Sequence, residues 1–211
     1  MSLVLELEKD VRVKEGLKSC INCGLCTAVC PAAQYYEYDP RIIINIVLRR
    51  DEQEIENLLK SDSIWCCGEC FSCKVRCPRD NTPVLIIQSL RTLSLEKGFF
   101  IYSKKGREQV KLIELLVKNI LNYGYTIYID EINTDYFPEQ GPIWDWIKKN
   151  INTLSTNIGF SYQKEGPGAL RKIPFETINE INKIFEETGA INLYQSMIEK
   201  LKAFEKNIKN E

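Results

Sequence analysis

Cys20-x2-Cys23-x2-Cys26-x3-Cys30-Pro31 recurs in the same chain as Cys67-x2-Cys70-x2-Cys73-x3-Cys77-Pro78. Spacings of two residues let a tightly turning backbone set three thiolates around one metal group while its amides donate hydrogen bonds to sulfur. The fourth cysteine follows a spacing of three, and the proline after it lacks an N–H and fixes φ, so the chain leaves in a set direction. Of nine cysteines all but Cys66 belong to this doubled phrase, and none follows Cys77. A disulfide scaffold spreads its cysteines through a small secreted domain; this crowding is a metal-binding pattern. Pairing the eight around zinc is arithmetically open, but the x3 spacing and its proline, written twice, have no zinc rationale. The chain contains no histidine. That excludes Rieske-type clusters, His-ligated zinc and His-based acid–base or nucleophilic catalysis.

The spacing resembles that of two-cluster ferredoxins, in which three cysteines grip one iron–sulfur cube and the fourth reaches across to the other. The resemblance implies two [4Fe-4S] clusters. Cluster A would sit on Cys20, Cys23, Cys26 and Cys77, and cluster B on Cys67, Cys70, Cys73 and Cys30. A complete set of eight ligands argues against a three-iron cluster. Two neighbouring cubes would form a path for single electrons.

Composition narrows the remaining classes. At 211 residues, one to two units are expected. Hydrophobic residues make up 44% and charged residues 27%, an ordinary globular balance. A formal net charge of −1 gives a nucleic-acid role no electrostatic support. The longest aliphatic run, residues 42–48, contains Asn45 and is far too short to span a bilayer. Residues 1–10 carry acidic side chains where a secretory signal would need a basic region and an apolar core. A soluble, cytoplasmic protein without a membrane span is the expectation.

Residues 4–18 read as a lead-in strand or short helix packing on the first cluster. Between the motifs, residues 40–60 read as two helices: 41–50 is apolar on one side, and 53–60 places Ile55, Leu58 and Leu59 at helical spacing. Asp39 before Pro40 is the expected N-cap. Residues 83–97 form a further helix ended by Gly98, with Val84, Ile87, Leu90 and Leu95 available to cover the clusters. Residues 106–122 are amphipathic through Val110, Ile113, Leu116, Val117 and Ile120. Residues 123–159 read as aromatic and irregular, with Tyr125, Tyr128, Tyr136, Phe137, Trp144 and Trp146. Their expected place is the core of the tail, with docking as the alternative. Gly166-Pro167-Gly168 is a turn. Pro174 opens a helix reaching about Thr188, and a last helix covers about 192–207.

A helical insert between two such motifs resembles HdrC, the small iron–sulfur subunit of heterodisulfide reductase. So do Ile64-Trp65 before the second motif and the helix 85–98 after it. The likeness spans about residues 17–98, with Cys67 in the ligand position and Cys66 in the variable one. The motifs are also similar to those of succinate dehydrogenase, fumarate reductase and glycolate oxidase iron–sulfur subunits. Those carry plant-type [2Fe–2S] or CCG domains that this sequence lacks. Gly166-Pro167-Gly168-Ala169-Leu170-Arg171-Lys172-Ile173-Pro174 resembles the extended HdrC of the heterodisulfide-reductase-like complex of sulfur oxidisers.

The resemblance implies a mainly α fold: an α-helical two-cluster ferredoxin domain over residues 1–98 and a helical C-terminal extension over 99–211. It implies an electron-transfer protein with no catalytic residue of its own, working between an HdrA-like flavin subunit and an HdrB-like subunit of CCG type. In the sulfur-oxidising version a lipoate-carrying protein belongs to the same system. Two other classes stay open: the iron–sulfur subunit of another respiratory oxidoreductase, and a structural iron–sulfur module. Cys66-Cys67-Gly68 is similar to a CCG motif without its downstream partner cysteines, so Cys66 reads as a spare thiol or as a redox thiol. Lys74, Arg76 and Arg79 read either as solvated surface or as cations that raise a cluster potential and steer an acidic partner.

Overall fold

The computed structural model describes residues 2–132, 134–135, 137–159 and 161–209, and among them there are helices and turns but no strand. The chain sorts into two units, Met1–Val110 with Ser196–Glu211, and Lys111–Gln195.

The first unit opens with two short helices, Leu3–Lys9 (α1) and Val11–Gly16 (α2), which settles the lead-in as helical. Ser2 caps α1 by accepting from Leu5 N, and Asp10 caps α2 by accepting from Arg12 N at 2.8 Å. The first motif contributes the single turn Leu25–Ala28 (α3). The insert then forms Pro40–Arg49 (α4) and Glu52–Lys60 (α5). Asp39 accepts from Arg41 N at 2.8 Å with Pro40 in the first turn, and Asp51 accepts from Glu54 N at 2.8 Å. The second motif contributes Ser72–Val75 (α6) and leads into Pro83–Lys97 (α7).

Helix α7 is the axis of this unit. Val84, Ile86, Ile87, Leu90 and Leu93 are buried together with Ser89 and Ser94, so its apolar residues do not keep to one stripe. A helix buried all round must be packed all round, and α1, α2, α4, α5 and α6 all contact it. Ser94 fits this interior because its hydroxyl donates to the Leu59 carbonyl at 2.8 Å. Gly98 ends the helix at φ +82°, where a side chain would be strained and its Cβ would stand 2.9 Å from Lys200 Cδ.

Asp10 ties the lead-in to this axis. Its carboxylate accepts from the Arg12 guanidinium at 2.6 Å and from the Ser89 hydroxyl on α7 at 2.8 Å. The Arg12 hydrogen bond, outweighing burial, holds the Asp10 carboxyl below its ordinary value of 3.8. A carboxyl depressed in this way stabilises the fold above its unfolded value and gives that stability up as pH falls toward the native one. The parent should therefore exceed Asp10→Asn in urea midpoint most at neutral pH, with the gap closing below about pH 5. A gap independent of pH would assign the effect to hydrogen-bond geometry alone.

The second unit holds most of Lys104–Tyr123 (α8), then Pro142–Ile158 (α9), Phe175–Glu187 (α10) and the start of Ala190–Lys209 (α11). Its core is Tyr128, Ile129, Ile151 and Tyr162, with Tyr123, Tyr125, Trp144, Ile147 and Leu170 packed against them. Tyr123 and Tyr128 stack with ring centroids 3.9 Å apart. Trp144 joins this core whereas Trp146 is 52% exposed. Helix α9 corrects the reading of residues 123–159 as irregular. Trp144, Ile147, Ile151 and Leu154 recur at helical spacing, but aromatic and β-branched residues have low helix propensity and hide that period. Tyr136 lies outside the described residues. The Gly166-Pro167-Gly168 turn is present, closed by Gln163 N to Leu170 O at 2.9 Å and Lys172 N to Lys164 O at 3.0 Å.

Candidate iron–sulfur centre

The two motifs fold as copies. At the second residue after the first cysteine, Asn22 and Glu69 are left-handed, with φ of 58° and 54°. At the fourth, Gly24 and Phe71 are left-handed, with φ of 77° and 61°. These reversals coil each loop around its thiols and open α3 and α6, which pack on one another. Gly24 takes its conformation freely, whereas Phe71 takes the same one as a bulky residue and is 42% exposed.

Backbone amides point at sulfur. Asn22 N donates to Cys20 Sγ at 3.3 Å, Glu69 N to Cys67 Sγ at 3.4 Å and Asn81 N to Cys77 Sγ at 3.3 Å. Such donors stabilise thiolates and the metal groups they hold. Asn81 does more, because its buried side chain accepts from Lys18 N at 2.7 Å. The exit of the second motif is thereby fastened to the entry of the first.

The thiols fall into two neighbourhoods. Cys20, Cys23, Cys26 and Cys77 line one cavity, together with Gly24, Arg41, Pro78 and Asn81. Cys77 belongs to the second motif by sequence and to the first by position. In the other neighbourhood, Cys30 and Cys67 pack against the core that buries Tyr38, and burial together with the Cys67, Cys30 and Cys73 thiols pushes the Tyr38 phenol up. Cys70 is exposed beside Ser72, whose hydroxyl lies 3.4 Å from its sulfur and holds its thiol below the ordinary range. Burial pushes the Cys26 thiol up, and the Cys73 thiol up to about 11. Among the described residues no three Cys, His, Asp or Glu side chains form a group able to hold a single metal ion. A mononuclear site gathers its ligands about 2.3 Å from one point. A four-iron cube takes them at its spread corners, and these cysteines, with amide donors on Cys20, Cys67 and Cys77, suit that larger group.

Arg91 of α7 braces the second loop. Its guanidinium donates to the carbonyls of Ile64 at 2.7 Å and Cys67 at 2.6 Å and to the Glu69 carboxylate at 2.6 Å, and it lies over the Trp65 ring at 5.7 Å. Nothing in the sequence pattern marked Arg91 or Asn81, since neither lies inside a cysteine spacing. Cys66 stands apart from both sulfur groups in its bonding: its S–H donates to the Asp62 carbonyl at 3.5 Å, and burial raises its thiol. Lys74, Arg76 and Arg79 are exposed.

Helical packing around a doubled cysteine motif defines a two-cluster iron–sulfur protein, and residues 16–81 match the 4Fe-4S dicluster domain family. Two [4Fe-4S] clusters are its cofactors, and its role is electron transfer. The particular family follows from whole-chain likeness. The C subunit of the ferredoxin:CoB-CoM heterodisulfide reductase of Methanosarcina acetivorans is 33% identical over 184 residues, covering 86% of this chain and 67% of the relative. The C2 subunit of the H(2)/formate:CoB-CoM heterodisulfide,ferredoxin reductase of Methanococcus maripaludis is 41% identical over 161 residues, covering 72% and 79%. The chain belongs to the HdrC family of heterodisulfide reductase subunits and works in a complex with other subunits. No helix among the described residues is long and apolar enough to cross a membrane.

Proposed function

We propose that this chain relays single electrons between a flavin-carrying, HdrA-like subunit and a CCG-type, HdrB-like one, and has no substrate site of its own. What carries the reading is the shared cavity of Cys20, Cys23, Cys26 and Cys77. It supports cluster A on those four residues and cluster B on Cys67, Cys70, Cys73 and Cys30. When bound, the clusters supply one-electron chemistry at potentials set by hydrogen bonds and exposure. The chain's part is to hold the sulfurs, donate to them from Asn22, Glu69 and Asn81, and fix two cubes as neighbours through the crossed fourth ligands. Exposed Cys23 and Cys70 put an edge of each cluster at the surface, where partners exchange electrons. The working place is the cytoplasm, where unpaired cysteines stay reduced.

On the HdrB-like partner the electrons would open or form a disulfide, the chemistry that the names of the methanogen relatives carry. The segment Gly166 to Pro174 supports a narrower second reading, oxidation of sulfur carried on a lipoate-bearing protein. The deciding experiment is iron and acid-labile sulfide content with EPR of the anaerobically purified, dithionite-reduced protein. About eight irons and eight sulfides per chain are expected, with signals from two interacting reduced cubes and no turnover of disulfide by the chain alone. About four irons, zinc in their place, or catalysis by the isolated chain would refute the relay.

A further inference from the structure

The two cysteine loops share one backbone and differ in side chains. Position for position, Gly24, Thr27, Ala28 and Val29 of the first stand where Phe71, Lys74, Val75 and Arg76 stand in the second. Gly24 and Phe71 take the same left-handed conformation, at φ 77°, ψ −1° and φ 61°, ψ 4°. Whatever that turn does for the sulfurs, glycine does in the first loop without a ring. A bulky residue there is an outlier that its surroundings must hold in place. The ring so placed is 42% exposed, and Val75, one helical turn further along α6, is 81% exposed. Residues four apart in a helical turn share a side, so the two make one apolar spot next to exposed Cys70. Lys74 and Arg76 flank Val75, are exposed, and enter no ion pair or side-chain hydrogen bond among the described residues. Glu69, an acid of the same loop, is already held by Arg91 at 2.6 Å. A chain of formal net charge −1 thus sets two unanswered cations around an apolar spot on one of its two loops.

We propose that Phe71 and Val75, rimmed by Lys74 and Arg76, dock an acidic surface of one partner subunit, the one that exchanges electrons with the cluster on Cys70. The inference rests on the relay proposed above. The face dictates the partner's chemistry: an apolar hollow for the ring, bordered by carboxylates. An exposed aromatic is the kind of anchor on which binding energy concentrates, and the cations orient the partner and speed its encounter. The first loop carries glycine, threonine, alanine and valine at these positions and offers no such anchor. Four residues therefore let partners tell the two ends of the relay apart.

The test measures binding of the anaerobically reconstituted full chain to the CCG-type subunit and, separately, to the flavin-carrying subunit, at low and high salt. Phe71→Gly gives the second loop the residue that the first already uses. It is expected to keep about eight irons and both EPR signals, to weaken one association about tenfold and to leave the other unchanged. Lys74→Glu combined with Arg76→Glu leaves the left-handed position alone. It should weaken that same association and make it less sensitive to salt. Variants that bind both subunits as tightly as the parent, equal weakening of both associations, or loss of iron from Phe71→Gly would overturn the inference. So would a fall in self-association of the chain with both subunits still bound, which would give the face to a second copy. A parent that holds fewer than two clusters, or binds neither subunit, fails before any substitution; that result refutes the relay and takes this inference with it.

Discussion

Cys77→Ala is expected to leave about four irons per chain and to abolish the same spectral signature that Cys23→Ala abolishes. The residue stands in the second motif, so a reading confined to sequence neighbourhoods assigns the loss to the wrong cluster. Its sulfur lines the cavity of Cys20, Cys23 and Cys26, and its amide donor, Asn81, is tied to Lys18 at the entry of the first motif. Three thiolates can hold a cube only loosely, so the cluster lacking its fourth corner is lost. Cys70→Ala should remove the other signature and spare this one. The comparison needs only iron content and EPR of the three variants. If Cys77→Ala and Cys70→Ala erase the same signal, the ligands are not crossed, and the clusters are bound by two independent loops.

Arg91→Met should be the most damaging change outside the cysteines, costing about 3 kcal/mol and making the second cluster labile. Methionine matches the length of the stem but donates nothing. Its introduction strands the Ile64 and Cys67 carbonyls and the Glu69 carboxylate, each of which now receives a charged donor at 2.6 or 2.7 Å. Hydrogen bonds to a charged group contribute about 1.5–3 kcal/mol each, but Glu69 is partly exposed and can turn to water, so the effects do not sum. Arg91→Lys should recover little, because one ammonium cannot reach three acceptors in the plane of a guanidinium. Thermal loss of visible absorbance separates the outcomes. A variant that bleaches with the parent's midpoint would show that the Glu69–Phe71 loop holds its shape without α7.

The helices of the insert and the ends of α7 were legible because their signals are local. Asp39-Pro40 and Gly98 mark boundaries by their own chemistry. The cysteine spacing spoke for the sulfurs in the same way, since it repeats with nothing changed but the residues between. What remained hidden depends on tertiary position. The left-handed backbone at Asn22, Glu69 and Phe71 carries no glycine to announce it, and only Gly24 among the four does. Asn81 and Arg91 bond to backbone groups distant in sequence, which no periodicity records. Helix α9 was hidden for a different reason: Trp144 and Trp146, following Tyr125, Tyr128 and Phe137, suggested an irregular aromatic patch, and the residues that stabilise the helix do so through the core around Tyr128.

The cavity that gathers Cys20, Cys23 and Cys26 with Cys77 also sets a clock on biosynthesis. About 50 residues separate Cys26 from Cys77. At ribosomal speeds of about 5–20 residues per second, the first motif emerges roughly 3–10 s ahead of the residue that completes it. During that interval the nascent chain displays three soft thiols with no fourth. On the proposed ligand assignment the second motif, by contrast, finds Cys30 already made and is whole as soon as Cys73 appears. On that assignment cluster B is the one that can be loaded first, and the iron–sulfur donor would meet this protein with its later-numbered site ready before its earlier one.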